Sequence, residues 1–347
     1  MKQYNFLDED NRLHRLSEIG DPLEKVTNLI DWGIFRDILE KIFDKERGIG
    51  GRKPWNYVLM FKILLLQSWY SIADDKTEYV INDRLSFQRF LGLSLGDKVP
   101  DAKTIWLFRE NLIKLGAEKE LFTFFRKQLE AQGIITREGS LIDATFVDVP
   151  RQRNTRDENE KIKGGKIPDG WENPLNINKL AQKDIDARWT KKNEETHYGY
   201  KDHVKVDKDS KLIVEYIVTD AAVHDSQCIV DIVDGNDKEI YADSAYTGEE
   251  LHKKIQEKNP GIKLRIHEKG YRNKPLTAEQ KASNNEKSRT RVRVEHVFGH
   301  MTNSMGGIFI RCIGIRRAKC AIAFKNLAYN ISRYVYLAGT NNATALV

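Results

Sequence analysis

The sequence predicts a mixed α/β fold, in which a sheet flanked by helices follows an all-helical N-terminal domain. Apolar residues recur at helical spacing in the first part of the chain, as at Val26, Leu29 and Ile30. Near Ile134 the pattern changes to short β-rich segments that are followed by alternating helical and β-rich ones. Hairpin strands followed by alternating strands and helices are typical of a mixed sheet with helices packed on it.

The helical N-terminal domain is predicted over residues 1–135. Its most apolar run, Val58–Tyr70, is interrupted by Lys62 and Gln67. The run is also shorter than the about 20 apolar residues that a membrane span needs, so we expect a buried helix. No secretory signal is predicted, because the first 20 residues are polar. Three tryptophans are expected in the helical core rather than as platforms for nucleic-acid bases: Trp55, Trp69 and Trp106.

The second domain is predicted over residues 136–340. Strands at Thr196–Val206 and Leu212–Ala222 are expected to form an antiparallel hairpin. A polar stretch at about 151–195 carries 11 basic and 9 acidic residues, which predicts a long insertion or flexible loop with at most one helix, from Ile177 to Lys191. The other expected elements are strands at 139–149, 239–246 and 262–267 and helices at 248–258, within 277–303 and at 317–337.

Charge is distributed unevenly along the chain. The whole sequence has 57 Lys and Arg against 51 Asp and Glu, a net charge of +6. Between Lys263 and Arg333 there are 16 basic and 4 acidic residues, which gives +12 for that stretch alone. Such a stretch is expected of a protein that binds a phosphate backbone, and a solvated basic surface without a partner gives the same pattern.

The three cysteines point away from a disulfide framework or a structural zinc site. Cys228, Cys312 and Cys320 are odd in number and form no C-x-x-C pair. Free cysteines of this kind are more often core residues than ligands.

Two aspartates, Asp143 and Asp243, lie inside apolar strand segments, where an ionised carboxylate is costly unless a charge or a metal compensates it. Either residue alone is typical of a strand-end or turn aspartate. On neighbouring strands, and with a third acid from a facing helix, they would supply the oxygen ligands that two Mg²⁺ ions use in phosphoryl transfer. Asp148 is a poor substitute, because a residue five positions beyond Asp143 points to the other face of a strand.

The helical acid is predicted to be Glu295, the only acidic residue after Glu286. Arg291 lies four residues before it and therefore on the same helix face. An ordinary surface Arg–Glu pair on a basic helix gives the same local pattern.

Short blocks in a fixed order give the chain a resemblance to a known family. The second and third acids follow at intervals of 243 − 143 = 100 and 295 − 243 = 52 residues. Together the blocks resemble the DDE transposases of bacterial insertion sequences, specifically the insertion-sequence-five (IS-five) group. The blocks begin at Asp83 (DRLSFQRFLGL), Pro100 (PDAKTIWLFR), Ile142 (IDAT), His197 (HYGYKDH), Thr219 (TDAAVHDS), Tyr241 (YADSAY) and Arg291 (RVRVE).

The resemblance implies a ribonuclease-H-like catalytic domain in which Asp143, Asp243 and Glu295 are the catalytic and metal-binding residues. It implies two Mg²⁺ ions, replaceable by Mn²⁺, that serve hydrolysis at transposon ends and transfer of the 3′-hydroxyl into target DNA. The expected partners are transposon-end DNA, bound by the N-terminal domain, and target DNA. We also expect a homo-oligomer, at least a dimer when ends are paired, that works without a membrane at the nucleoid in the bacterial cytoplasm.

The third block departs from related families, which often have Tyr three residues before the Arg and Lys or Arg seven after the Glu. This chain has Ser288 and Thr302 there. The basic residues expected to contact DNA phosphates are Lys287, Arg289, Arg291, Arg293, Arg316, Arg317 and Lys319. His203 and His224 are candidate site-lining residues, although the sequence favours a structural or hydrogen-bonding role for each, because it shows no partner that would test the other role.

Three other functions are compatible with parts of this pattern. A DNA-binding regulator with a degenerate catalytic domain would keep the basic stretch but bind no metal. A metal-dependent nuclease without strand transfer would keep all three acids. A helical assembly module without chemistry fits poorly with the β-rich segments that carry the acids.

Overall fold

The structure is a computed structural model that describes residues 7–43, 54–173, 175, 177–192, 194–271 and 275–341. The described residues form two compact units. One comprises those of Met1–Gln128 together with Phe324–Val347, and the other comprises those of Leu129–Ala323. This division differs from the predicted limits of 1–135 and 136–340 chiefly at the C-terminus, where the chain from Phe324 onward belongs to the first unit.

The first unit is helical over its described residues, as the sequence predicts. Its helices are α1 (Asp8–Ile19), α2 (Pro22–Leu29), α3 (Arg36–Phe43), α4 (Tyr57–Tyr70), α5 (Asp74–Asp83), α6 (Leu85–Leu91), α7 (Ala102–Leu115) and α8 (Ala117–Ala131). Among the described residues, no helix is both long enough and apolar enough to cross a membrane.

Helix α4 forms the centre of the first unit, which confirms the predicted buried helix. The Asn56 side chain accepts hydrogen bonds from the backbone at Val58 and Leu59 and so caps the start of the helix. The Phe61 ring is fully buried, with ring centroids 4.8 Å from Phe35 and 5.9 Å from Phe324. Burial of one such side chain stabilises the fold by about 1.5–3 kcal/mol, which explains why the C-terminal segment packs here.

The tryptophan expectation is confirmed at one position and wrong at another. Trp69 is buried, and its Nε1 donates to the carbonyl oxygen of Ala328 at 2.8 Å. Trp106 is 45% exposed on α7, because the buried face of that helix is formed by Ile105, Phe108 and Leu112 instead.

The second unit contains all the strands of the described residues. They are β1 (Ser140–Asp148), β2 (Arg188–Lys192), β3 (Glu195–Asp207), β4 (Ile213–Asp220), β5 (Glu239–Ala242) and β6 (Lys263–Ile266). The further helices of the chain are α9 (Arg156–Lys163), α10 (Ile177–Ala181), α11 (Ile229–Ile232), α12 (Glu249–Lys258), α13 (Ala278–Asn303) and α14 (Ile315–Asn341).

The six strands form one mixed sheet. Strand β3 is antiparallel to β1 on one edge, and it pairs with β2 and β4 on the other. Strand β5 is parallel to β1, and β6 is parallel to β5. Without β2, the strand order is β4-β3-β1-β5-β6, in which a three-stranded antiparallel meander is joined to two parallel strands. This is the ribonuclease-H-like topology, and it confirms the predicted fold class and the predicted hairpin.

Helices cover both faces of the sheet around β1. Ile142 belongs to an apolar core that includes Ile240 and residues of α11 and α12 such as Ile229 and Ile255. Helix α13 packs against β1 and β5. Because neighbouring side chains of a strand point to opposite faces, Asp143 faces α13 while Ile142 faces the apolar core.

The predicted insertion at 151–195 is present, and its described residues form ordered structure rather than a flexible loop. Thr155 and Glu158 form a capping box at the start of α9. The Trp171 side chain is fully buried, and its Nε1 donates to Glu158 at 2.8 Å. The single helix expected over 177–191 is wrong, because α10 ends at Ala181 and β2 pairs with β3.

Two aspartates join the insertion to the start of α14. Asp184 is buried and accepts hydrogen bonds from the Tyr200 hydroxyl at 2.7 Å and from the backbone N–H of Gly314 at 3.2 Å. Asp186 accepts from the backbone N–H of Ile315 at 2.9 Å. Carboxylates at this position also interact favourably with the positive end of the helix dipole.

Candidate active site

The register of the two central parallel strands brings Asp143 next to Asp243. Ser140 pairs with Ile240, and Leu141 pairs with Tyr241, so the offset between β1 and β5 is 100 residues. The same offset relates Asp143 to Asp243, two positions beyond the last pair. Neighbouring strands are about 4.8 Å apart, and both aspartates therefore lie at the carboxyl end of β5.

Asp143 is a mostly buried carboxylate, with 15% of its side chain exposed. Its pKa is raised to about 6, chiefly by burial and also by the charge of Asp243, while the hydrogen bond from Ala144 and the nearby cations oppose the rise. Its Oδ1 accepts from the backbone N–H of Ala144 at 2.8 Å, and its Oδ2 accepts from Arg291 at 2.7 Å. The carboxylate thus has a strong electrostatic demand for a compensating cation.

Asp243 ends β5 and begins a short 3₁₀ turn, Ser244–Tyr246. Its Oδ1 accepts from the backbone N–H of Ala245 at 2.8 Å. The turn buries Tyr246, whose side chain is 1% exposed. Burial raises the pKa of the Tyr246 hydroxyl, and the charges of Asp143, Asp225 and Asp243 raise it further, so these carboxylates lie around the phenol.

Helix α13 carries Glu295, the third acid, and packs against the strands of the two aspartates. A capping box of Thr277 and Gln280 begins the helix, which runs without interruption to Asn303. Arg291 donates from Nη1 to Asp143 and from Nη2 to Glu295 at 3.0 Å. One guanidinium therefore lies between the two acids, and 54% of the Glu295 side chain remains exposed.

Comparisons with known proteins identify two transposase domains in the chain. Residues 135–331 match the family model described as "Transposase DDE domain", and residues 10–111 match one described as "Transposase domain (DUF772)". The chain belongs to the DDE transposase family. The protein is accordingly a DNA transposase, an enzyme that cleaves DNA and transfers strands, and its family normally uses divalent metal ions.

One solved structure similar to the transposase is a cryo-EM structure of the piggyBac transposase synaptic complex with hairpin DNA. The two chains are 13% identical, with a TM-score of 0.48. The match covers 93% of this chain and 77% of the other.

The donor set of the transposase site suits a hard divalent cation, because all three candidate ligands are carboxylates. Tyr246 Oη has no hydrogen-bond partner among the described residues, and a group bound between the surrounding carboxylates would satisfy it. Among those same residues, however, no three His, Cys, Asp or Glu side chains converge closely enough to hold a metal. The guanidinium of Arg291 lies between Asp143 and Glu295 and occupies one oxygen of each.

The basic residues expected to contact DNA fall into two groups. Lys287 donates to the Ile266 carbonyl oxygen at 2.9 Å, and Arg293 donates to that of Lys208 at 2.9 Å. With Arg291, these side chains hold the sheet against α13 in the present state. Arg289 on α13 and two residues of α14, Arg316 and Lys319, are exposed, whereas Arg317 is half-buried and interacts within the protein.

The two histidines considered as site-lining residues differ in exposure. His203 on β3 pairs with Ala144 of β1 and is 1% exposed. Its Nε2 is 2.9 Å from Thr219 Oγ1, and burial lowers its pKa to about 4. His224 is exposed, and its Nδ1 lies 2.8 Å from Ser226 Oγ, where it caps a 3₁₀ turn.

Sequence reasoning missed three groups close to the acids. Lys201 on β3 and Asp225 form a buried ion pair at 2.8 Å. Asp225 lies in a turn that packs against Ser244–Tyr246. Lys192, on the edge strand of the insertion, is close enough to lower the pKa of Asp143. His267 follows β6 directly, as Asp243 follows β5, and this shared position at a strand end was the available signal.

Proposed function

We propose that the transposase hydrolyses DNA at the ends of its own element and joins the freed 3′-hydroxyl to target DNA, with Asp143, Asp243 and Glu295 as its catalytic and metal-binding residues. The single observation that carries the proposal is the strand register that brings Asp143 next to Asp243 at the end of β5. Two Mg²⁺ ions, replaceable by Mn²⁺, would activate the attacking oxygen and stabilise the leaving oxygen when bound there.

The protein's own contribution is positioning and charge. Asp143 is fixed by the Ala144 backbone and Asp243 by the Ala245 backbone, so both carboxylates are held before DNA arrives. Cations held by Asp143 and Glu295 would release the Arg291 guanidinium, which would then be available to a DNA phosphate. The exposed cations Arg289, Arg316 and Lys319 supply sequence-independent affinity for the backbone.

Further parts of the proposal rest on the family and on the sequence blocks. We infer that the transposase is of the IS-five group and that residues 1–135 bind the transposon end. Joining two ends to one target requires at least two copies of the chain. Its DNA substrates place its activity at the nucleoid in the cytoplasm.

The experiment that tests this function uses a labelled duplex carrying the terminal sequence of the encoding element, a supercoiled target plasmid and Mg²⁺. We expect the protein to nick the duplex at the terminus and to join it to the plasmid, and Asp143→Asn to lose both products. Asp148→Asn is the matched control, because Asp148 lies on the same strand but is half-exposed at its far end. Nicking without joining would indicate a nuclease. Binding without either product, or activity retained in Asp143→Asn, would contradict the proposal.

A further inference from the structure

A histidine continues the row of side chains that begins with the two aspartates. Ala242 pairs with Ile266, and the backbone N–H of His267 donates to the Ala242 carbonyl oxygen at 3.2 Å. The parallel register thus extends one residue beyond β6 and brings His267 beside Asp243. Asp143 lies within β1, whereas Asp243 and His267 directly follow β5 and β6. The three residues stand on neighbouring strands in that order, with His267 about 10 Å from Asp143 by two strand spacings.

Helix α13 contacts this histidine through the side chain of Ser288. The Ser288 hydroxyl lies 3.3 Å from His267 Nε2. Ser288, Arg291 and Glu295 are separated by three and four residues and share one face of the helix. The same face therefore contacts both ends of the row: Arg291 reaches Asp143, and Ser288 reaches His267. Ser288 is also the position at which the third block departs from the tyrosine of related families.

The surroundings of His267 contain both cations and carboxylates, and the cations have the larger effect on its pKa. Burial, followed by the charges of Arg291 and Lys287, lowers its pKa, while Asp243 opposes this effect. Lys287 is fixed by the Ile266 carbonyl oxygen and lies 4.0 Å from the carboxylate of Glu268. The His267 side chain is half-buried, so one side of the imidazole remains open to a ligand. A neutral donor beside two cations favours an anion with hydrogen-bond acceptors.

We propose that His267 and Ser288 form a phosphate-binding subsite that holds the phosphodiester adjacent to the one being cut. With Nε2 engaged by Ser288, Nδ1 is the ring nitrogen that donates to the phosphate oxygen. The subsite rests on the proposed function, because its distance from Asp143 is meaningful only if the scissile phosphate lies at the aspartate pair. His267 is here a positioning residue that fixes the strand and does not contact the bond that breaks.

The test combines a protein change with a DNA change. Fluorescence anisotropy in EDTA would measure binding of the terminal duplex, and single methylphosphonates would neutralise each phosphate flanking the cut in turn. We expect His267→Ala to bind unmodified duplex at least about tenfold more weakly, the lower limit for the loss of one hydrogen bond to a charged group. At one flanking position, the methylphosphonate should remove this difference. His267→Gln, which keeps a donor, should recover part of the affinity, and Ser288→Ala should lose part of it.

His296→Ala is the matched control. His296 is exposed on α13, the helix that carries Ser288, but its side chain contacts Lys211. Equal binding by His267→Ala and the unmodified protein would overturn the subsite. The subsite would also be overturned if His267→Ala bound every methylphosphonate duplex more weakly than the unmodified protein, since no single phosphate would then be involved. Cleavage of the same duplex by the unmodified protein in Mg²⁺ tests the proposed function separately. A transposase that cleaves normally but shows no His267 effect refutes the subsite alone.

Discussion

Arg291 donates a 2.7 Å hydrogen bond to Asp143, a residue 148 positions earlier in the chain. The same guanidinium donates to Glu295, so one side-chain cation neutralises two acids of the proposed metal site. A divalent ion and this arginine compete for the same oxygen atoms. The described state is therefore a closed one, in which the protein supplies its own counter-ion.

The competition predicts that removal of the guanidinium tightens metal binding. For Arg291→Gln we expect Mn²⁺ affinity to rise about tenfold, because the cation no longer has to break a charge-assisted hydrogen bond worth roughly 1.5–3 kcal/mol. Titration followed by electron paramagnetic resonance of free Mn²⁺ measures this without DNA. Arg289→Gln, exposed on the same helix, should leave the affinity unchanged. Weaker binding by Arg291→Gln would mean that Arg291 organises the acids and does not block them.

Glu295 should matter far more for activity than for stability. Its side chain is half-exposed, and an exposed ion pair such as that with Arg291 contributes at most about 1 kcal/mol. Glu295→Gln should therefore unfold within a few degrees of the unmodified protein but cleave terminal DNA at least about a thousandfold more slowly, since loss of metal catalysis costs several kcal/mol. Glu286→Gln, an exposed acid earlier on α13, is the control for both measurements. Comparable cleavage by the two variants would remove Glu295 from the site.

The side chains of two buried residues, Asp143 and His203, should make the free energy of unfolding depend on pH in opposite directions. Asp143 has a pKa raised from 3.8 to about 6, so its contribution is complete below pH 3.8 and is lost as pH rises through 6. His203 has a pKa lowered from 6.5 to about 4, so its contribution is complete above pH 6.5 and is lost as pH falls through 4. The two effects, each about 3 kcal/mol at most, largely cancel between pH 4 and 6 in the unmodified protein.

Single variants should expose these opposite slopes. In metal-free urea denaturation, Asp143→Asn should become more stable as pH rises from 4 to 6, and His203→Gln should become less stable over the same range. Parallel pH profiles for both variants and the unmodified protein would contradict the pKa shifts.

Much of this site is visible in the sequence because it depends on local patterns. Apolar segments around Asp143 and Asp243 predict their strands, and the spacing of Arg291 and Glu295 predicts that they share a helix face. The contact between Arg291 and Asp143 is not visible, because it depends on strand register and helix placement. His267 was missed for the same reason: its position beside Asp243 follows from the pairing of β5 with β6.

Other errors arose where tertiary packing overrides local character. The polar composition of 151–195 suggested flexibility, yet Trp171 and Asp184 give its described residues a buried core of their own. Trp106 was expected in the core because aromatic residues usually are, but helix α7 already fills its buried face with Ile105, Phe108 and Leu112. The C-terminal segment packs with Phe61, a partner that no periodicity identifies.

On β3, a buried ion cluster beside Ile142 of β1 predicts a large stability effect. Lys205 is fully buried and donates to Asp237 at 2.9 Å and to Asp234 at 3.0 Å. Lys205→Met should destabilise the protein by about 3–5 kcal/mol, because it leaves the buried Asp237 carboxylate without its cation, whereas the partly exposed Asp234 keeps Arg137. The double variant Lys205→Met/Asp237→Asn should recover part of the loss in urea denaturation. Lys238→Met, which removes an exposed pair with Glu138, should cost less than about 1 kcal/mol.

The exposed cations of α14 should control the salt dependence of DNA binding. Arg316→Ala and Lys319→Ala should each lower the slope of log K against log salt concentration by about 0.9, the value for one phosphate contact. Both should weaken binding to terminal and unrelated duplexes equally, because phosphate contacts carry no sequence information. Binding isotherms at several salt concentrations measure the slope. A loss confined to the terminal sequence would instead make these residues part of base readout.

The contact between the insertion and α14 limits how the sequence of this transposase can evolve. It consists of hydrogen bonds from the backbone of Gly314 to Asp184 and from that of Ile315 to Asp186. The insertion supplies the acceptors for the first turn of α14, so it is part of the scaffold and not an optional attachment. Its length and sequence cannot be exchanged as a cassette between related elements without freeing the start of that helix. Replacement of the insertion by an unrelated segment is therefore expected to destabilise the start of α14.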